Sequence, residues 1–240
     1  VGINTFKLKQ SEGLNFAISS QTAQRFVDKY DPDSNQNTFQ RNEPIAINVR
    51  EHERDRDDEP SYNNQDSPEA AQEYLDRIEN IYTIKGKENE TIKLANIALS
   101  LHESALAYFY RAYAKDELED YQGAIRDYTK AIKIDPNYKV AYFNRAYAKD
   151  KLKDFAAAIR DYTKAIQIDP QYTAAYNNRS YAKRRLEDWE GTISDATKAI
   201  NIDPEYKYAY FNRAYAKYEL KDYQGALRDY TKVIKLDPDY

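Results

Sequence analysis

The sequence predicts an all-α protein, a solenoid of stacked helical hairpins, with a short N-terminal β-hairpin remnant and a disordered linker in front. Three observations carry this reading. An Asp-Pro pair recurs at Asp135-Pro136, Asp169-Pro170, Asp203-Pro204 and Asp237-Pro238, 34 residues apart each time. Between the pairs the text nearly repeats, and its apolar residues fall at helical spacing. Charge is also uneven: the overall net of −4 splits into −6 up to residue 102 and +2 beyond it.

Composition excludes several classes of function. No run of eighteen apolar residues exists, so no membrane span is expected. Cys is absent, which removes disulfides, thiolate metal sites and a Cys nucleophile. The only histidines, His52 and His102, stand far apart, so no multi-His metal site and no cofactor is expected. Thirty-six basic against 40 acidic side chains give no electrostatic reason to expect a nucleic-acid partner. With no Met, the chain is expected to be a fragment or a processed product.

Residues 1–30 alternate and break once. Residues 1–6 and 14–18 read as a β-hairpin around 9–13, and Ser20 caps a short helix to Phe26. Thirty residues cannot bury a core alone, so this hairpin is a remnant of a larger sheet. Val1-Gly2-Ile3-Asn4-Thr5 and Gly13-Leu14-Asn15-Phe16-Ala17-Ile18 resemble the last strands of a trypsin-like serine protease of the bacterial HtrA type. The resemblance implies a nucleophile Ser, His and Asp upstream of Val1. None is expected in this chain: there is no Gly-x-Ser-x-Gly, and neither His lies in a matching context. A hydrolytic triad needs all its members, so the chain by itself is not an enzyme. An unrelated hairpin is the other reading.

Residues 31–68 have linker composition. Pro32, Pro44, Pro60 and Pro68 punctuate polar residues, and 51–59 is nearly all charged. Residues 45–49 are the one apolar spot. Residues 69–102 read as a degenerate repeat or an N-terminal cap: TIKLANIALSL from Thr91 echoes AIRDYTKAIKI from Ala124, while Lys85-Gly86-Lys87 breaks the register.

Four full units follow, at 103–136, 137–170, 171–204 and 205–238. In the second, Ala141, Tyr142, Phe143, Ala146, Tyr147, Ala148 and Leu152 predict a first helix. Asp154 marks a turn. Ala158, Ile159, Tyr162, Ala165, Ile166 and Ile168 predict a second helix from Phe155, and Pro170 stops it. One such hairpin cannot bury its own face, whereas a stack can. Asp239-Tyr240 repeats the Asn137-Tyr138 position, so a further unit is expected to open at 239–240. An apolar end formed by Val233, Ile234 and Leu236, and self-association through it, are then expected.

At this point the units resemble the tetratricopeptide repeat (TPR) family in its bacterial, especially cyanobacterial, form. Its aromatic column is Tyr108, Tyr142, Tyr176 and Tyr210. Its small column is Ala112, Ala146, Ser180 and Ala214. Its Ala column is Ala124, Ala158, Thr192 and Ala226, and its later aromatic column is Tyr128, Tyr162, Ala196 and Tyr230. Two columns depart from the family: Arg111, Arg145, Arg179 and Arg213 replace a Leu, and Lys115, Lys149, Lys183 and Lys217 replace a Tyr. The third unit is the most divergent.

The resemblance implies that the first helices line a concave groove for a protein or peptide partner. Four columns are expected there: Phe109, Phe143, Asn177 and Phe211; Tyr110, Asn144, Asn178 and Asn212; Tyr113, Tyr147, Tyr181 and Tyr215; and Asp116, Asp150, Arg184 and Tyr218. Asn amides both donate and accept, which suits a peptide backbone. Tyr offers contact area and a polar tip at little entropy loss. The competing reading makes the aromatics inter-repeat packing and the Asn residues helix ties. The basic clamp of some TPR co-chaperones is not expected: Phe109, Val140, Ala174, Asn178, Tyr208 and Asn212 stand at its positions, and Asn144 alone matches. Asp127, Asp161, Asp195 and Asp229 recur in register, so they read as a solvated or structural face rather than an acid–base pair. Pairing of Arg145 with Asp161, and its equivalents, argues against RNA.

The expected function is a protein-interaction scaffold. The alternative is the C-terminal part of a trypsin-like endopeptidase whose repeats position substrates. The compartment is extracytoplasmic if the protease resemblance holds and cytoplasmic otherwise.

Overall fold

The computed structural model describes residues 68–237. The expected β-hairpin with its protease resemblance, the linker up to residue 67 and the opening of a further unit at 239–240 lie outside the described residues. Within them the regular structure is ten α-helices. They are α1 (Pro68–Glu79), α2 (Glu88–Leu101), α3 (Ala105–Glu117), α4 (Tyr121–Ile134), α5 (Lys139–Lys151), α6 (Phe155–Ile168), α7 (Thr173–Arg185), α8 (Trp189–Ile202), α9 (Lys207–Glu219) and α10 (Tyr223–Leu236). Pro68, a linker residue by composition, opens α1, where its missing N–H costs nothing.

Each helix packs on its neighbours in sequence, so the array is a TPR-like solenoid. Successive first helices (α3, α5, α7, α9) also touch one another, while second helices approach each other less closely. The first helices therefore lie on the inside of the bend.

The turn inside each repeat is set by one aspartate. Asp154 donates its N–H to the Lys149 carbonyl, Lys153 donates to the Asp150 carbonyl, and these two bonds close α5. The Asp154 carboxylate then accepts the Ala157 N–H at 3.1 Å and caps α6. Asp120, Asp188 and Asp222 do the same with Gly123, Gly191 and Gly225 at 2.9 Å. The residue before each cap is left-handed without being Gly: Glu119, Lys153, Glu187 and Lys221 have φ of 60° to 64°. Leu152, expected inside the first helix, is its C-cap residue and is exposed.

The Arg, Lys and Asp columns form a buried ion cluster in every repeat. Asp161 accepts from Arg145 Nε at 2.8 Å, from Arg145 Nη2 at 2.7 Å and from Lys149 Nζ at 2.7 Å. Asp127 with Arg111 and Lys115, and Asp229 with Arg213 and Lys217, repeat these contacts. Asp195 accepts from Arg179 in the same way and pairs with Lys183 at 2.9 Å. The four carboxylates are buried, so this face is structural rather than solvated. The last guanidinium nitrogen reaches the preceding repeat: Arg145, Arg179 and Arg213 Nη1 donate to Thr129, Thr163 and Thr197. Arg111 donates to Asn96 of α2 at 2.6 Å.

At the far end the expected apolar face is narrower than the sequence implies. Val233 is fully buried within its own repeat against Phe211 and Tyr230, so it is not part of that face. Leu236 is half-buried. Ile234 is 42% exposed, whereas its equivalents Ile132, Ile166 and Ile200, covered by the next repeat, are 8–9% exposed.

Two outcomes follow from this geometry. Lys153→Gly relieves a left-handed side chain and should stabilise the fold by about 1 kcal/mol, less the entropy the freer unfolded chain regains. Urea denaturation reads this directly. Asp161→Ala strands a guanidinium and an ammonium in a half-buried seam and should destabilise by about 3 kcal/mol in the same assay.

Candidate functional site

The four expected columns separate by burial. Phe109, Phe143 and Phe211 are 1–3% exposed and belong to the core. Each packs on a second-helix tyrosine of its own repeat: Tyr128 at 5.8 Å, Tyr162 at 5.6 Å and Tyr230 at 5.7 Å between ring centroids. Phe109 and Phe143 also meet Tyr138 and Tyr172, which precede the next repeat's first helix. These phenylalanines support the inner wall and are not its surface. Asn144, Asn178 and Asn212 are buried too. Asn144 Nδ2 donates to its own helix at the Val140 carbonyl, so it acts as a tie rather than an open amide.

What remains at the surface is the tyrosine column. Tyr113, Tyr147 and Tyr215 are half-buried, and so is Tyr218. Tyr181 is buried, with two arginines against it. Arg185 donates to its hydroxyl at 3.0 Å, and Arg184 stacks on its ring at 5.0 Å. Arg184 is itself sandwiched, with its guanidinium 4.6 Å from the Tyr215 ring and 6.0 Å from Phe211. A guanidinium held between rings is oriented by cation–π attraction and van der Waals contact.

Sequence reasoning missed a fifth column. The first residue of each second helix is aromatic: Tyr121, Phe155, Trp189 and Tyr223. Phe155 lies 6.4 Å from Tyr181, Trp189 lies 6.1 Å from Tyr215, and Tyr223 lies 5.6 Å from Tyr218. The 34-residue spacing was the available signal. Its position directly after the capping aspartate places it beside the inner tyrosines.

The third repeat departs from this plan as a unit. Asn177 and Ala196 replace the Phe–Tyr pair, and Arg184 replaces Asp. The ring volume gives way to a polar chain. Asp150 accepts from the Tyr162 hydroxyl at 2.8 Å. Asn177 donates to Asn178 at 3.1 Å, and Asn212 donates to Asn177 at 3.1 Å. The last of these bonds joins the third and fourth repeats. Thr192 fills the usual Ala position, and its hydroxyl bonds to the carbonyls of Ser180 and Asp188.

Burial dominates the titration of this chain. Desolvation raises the Asp150 carboxyl well above the usual carboxylate range, opposed by the Tyr162 hydrogen bond and the charges of Arg185 and Lys151. Asp127 goes the other way. Burial alone would push it up, but the Arg111 and Lys115 hydrogen bonds and charges hold it lower than usual. Among the described residues no cluster of His, Asp or Glu has the arrangement of a metal site.

Comparison with known proteins places the fold. Residues 105–138, 140–172 and 208–240 match the tetratricopeptide repeat model. The third repeat is not matched, in keeping with its altered core. No curated protein matches the chain. Solved structures do match. MamA from Desulfovibrio magneticus RS-1 is 21% identical with a TM-score of 0.64, covering 71% of this chain and 95% of MamA. A second MamA structure is 19% identical with a TM-score of 0.65, covering 72% and 94%. YrrB, described as a TPR protein with an unusual peptide-binding site, is 18% identical with a TM-score of 0.60, covering 72% and 95%. Three of its repeats match that model, and the described residues fold as these solenoids do.

The sign of the Asp150 shift gives a pH-dependent outcome. A carboxyl raised on folding contributes fully below its unfolded value, near 4, and that contribution is lost as the pH climbs through the folded value. Asp150→Asn mimics the neutral acid. Its melting temperature should exceed the parent's by several degrees at pH 8 and by little at pH 4, as read by thermal circular dichroism.

Proposed function

We propose that this solenoid is a protein-interaction scaffold that takes an extended peptide or a partner helix along the inner face of its first helices. The observation that carries the reading is the half-buried tyrosine column at Tyr113, Tyr147 and Tyr215, joined by Tyr218 and flanked by Phe155 and Trp189. Amphipathic rings with two side-chain torsions lose little entropy on binding and supply both apolar area and a hydroxyl. Beneath them the Phe109, Phe143 and Phe211 core fixes their positions in advance, which lowers the cost of association. Asn144 and Arg184 act in this second layer. The likeness of the fold to YrrB, a protein with a peptide-binding site, supports the same reading.

The partner is a peptide with apolar or aromatic side chains spaced to meet successive tyrosines. Selection of a random dodecapeptide display library on the immobilised full chain should enrich clones. Tyr147→Ala combined with Tyr215→Ala should reduce their capture about tenfold or more, in line with interface aromatics worth upwards of 1–2 kcal/mol each. Enriched clones held equally well by the double variant would remove the tyrosine column from the site.

A further inference from the structure

The first and last described helices carry the two halves of one interface. Inside the array that interface is built three times. A second helix offers an isoleucine and a threonine: Ile132 and Thr129, Ile166 and Thr163, Ile200 and Thr197. The next first helix covers the isoleucine with an alanine and a tyrosine, and its Arg Nη1 donates to the threonine.

Helix α10 presents the first half with nothing described over it. Ile234 and Leu227 are 42% and 46% exposed, and Thr231 stands in the threonine register, its hydroxyl bonded among the described residues to its own helix at the Leu227 carbonyl. Arg228 and Lys235 are exposed around them.

Helix α1 presents the second half. Tyr74 and Arg77 stand 34 residues before Tyr108 and Arg111. The Arg77 guanidinium lies 5.6 Å from the Tyr74 ring, as Arg111, Arg145, Arg179 and Arg213 lie 5.3–5.6 Å from theirs. Arg77 lacks the buried aspartate the others have. Asn96 takes the role of Thr129, so the residue in the Asp127 register is Leu94, which is buried. Among the described residues Arg77 is exposed and makes no hydrogen bond or ion pair. Glu73, one turn before it on the same side of α1, is exposed. One face therefore offers an arginine and a carboxylate, and the other a threonine and two aliphatic side chains.

We propose that copies of this chain associate head to tail, the α1 face of one copy docking on the α10 face of the next in the register the repeats use internally. The occupant follows from the continuity of both faces with that internal interface. Such a contact is heterologous and does not close on itself, so it builds open chains of copies rather than a dimer. Glu73 stands where Ala141, Ala175 and Ala209 make the internal contact. The contact between copies is accordingly looser than the internal one and partly electrostatic, so salt weakens it.

Sedimentation velocity on the full 240-residue chain tests this, from micromolar to near-millimolar concentration at low and high salt. The expected result is a weight-average mass that climbs past the dimer with concentration and falls with salt. Arg77→Asp blocks the head and Ile234→Glu blocks the tail. Both sites are exposed, and unchanged circular dichroism confirms that each variant folds. Each variant alone should stay monomeric over at least a tenfold higher concentration range than the parent. An equimolar mixture should form a one-to-one pair and nothing larger, because it holds one intact head and one intact tail. A parent chain that is monomeric throughout overturns the proposal. So does self-association that Ile234→Glu abolishes and Arg77→Asp leaves intact, which would mean tail-to-tail pairing.

Discussion

The structure depends on a buried carboxylate shared by two cations. In each repeat an aspartate on the second helix accepts both inner nitrogens of an arginine and the ammonium of a lysine one turn further along the first helix. The fork geometry of the guanidinium fixes the crossing of the two helices within the repeat, and its remaining nitrogen reaches back to fix the previous repeat. Pairing of this kind does not add much net stability, because both charges are taken from water. What it supplies is geometry. It also explains why two family columns are altered together: the Arg and Lys columns replace apolar residues because both point at the same aspartate.

The divergent third repeat shows what the array tolerates and how it compensates. Losing the Phe–Tyr pair removes two rings from a close-packed interior. Arg184 enters the region as a flat, weakly hydrated cation and finds Tyr181, Tyr215 and Phe211 around it. Asn177 then donates to Asn178 and accepts from Asn212 across the seam. The substitutions make sense only as a set. Any one of them placed in the second or fourth repeat would leave either a hole or an unmatched polar group.

The helices were legible from periodicity, and their ends from chemistry already in the text: Asp154 as cap, Asp-Pro as stop. The ion cluster was legible as well, since Arg145 and Asp161 recur in step. The inner wall was not. A column such as Phe143 lies four residues before Tyr147 on the same helix face, and helical spacing alone gives both the same exposure. The difference comes from the neighbouring repeat, whose Tyr172 covers the phenylalanine. The asparagines were misplaced for the same reason, because a polar residue on a groove-facing helix reads as surface until its buried partners are seen. Only Thr91 to Leu101 hinted that α1 and α2 belong to the stack, and the length of the turn after Glu79 hid the match of Tyr74 and Arg77.

The polar chain through the third repeat also bears on how the chain finds its fold. The second and fourth repeats are nearly identical in wording, and each junction between full repeats offers an arginine to a threonine. A folding chain thus meets several stacking orders that satisfy the ion clusters equally well. Skipping the third repeat would forfeit the bond from Asn212 to Asn177 and the cage around Arg184. The irregular unit acts as a phase marker: it makes one order of assembly distinguishable from its near-copies, and so guards a repetitive chain against closing out of step with itself.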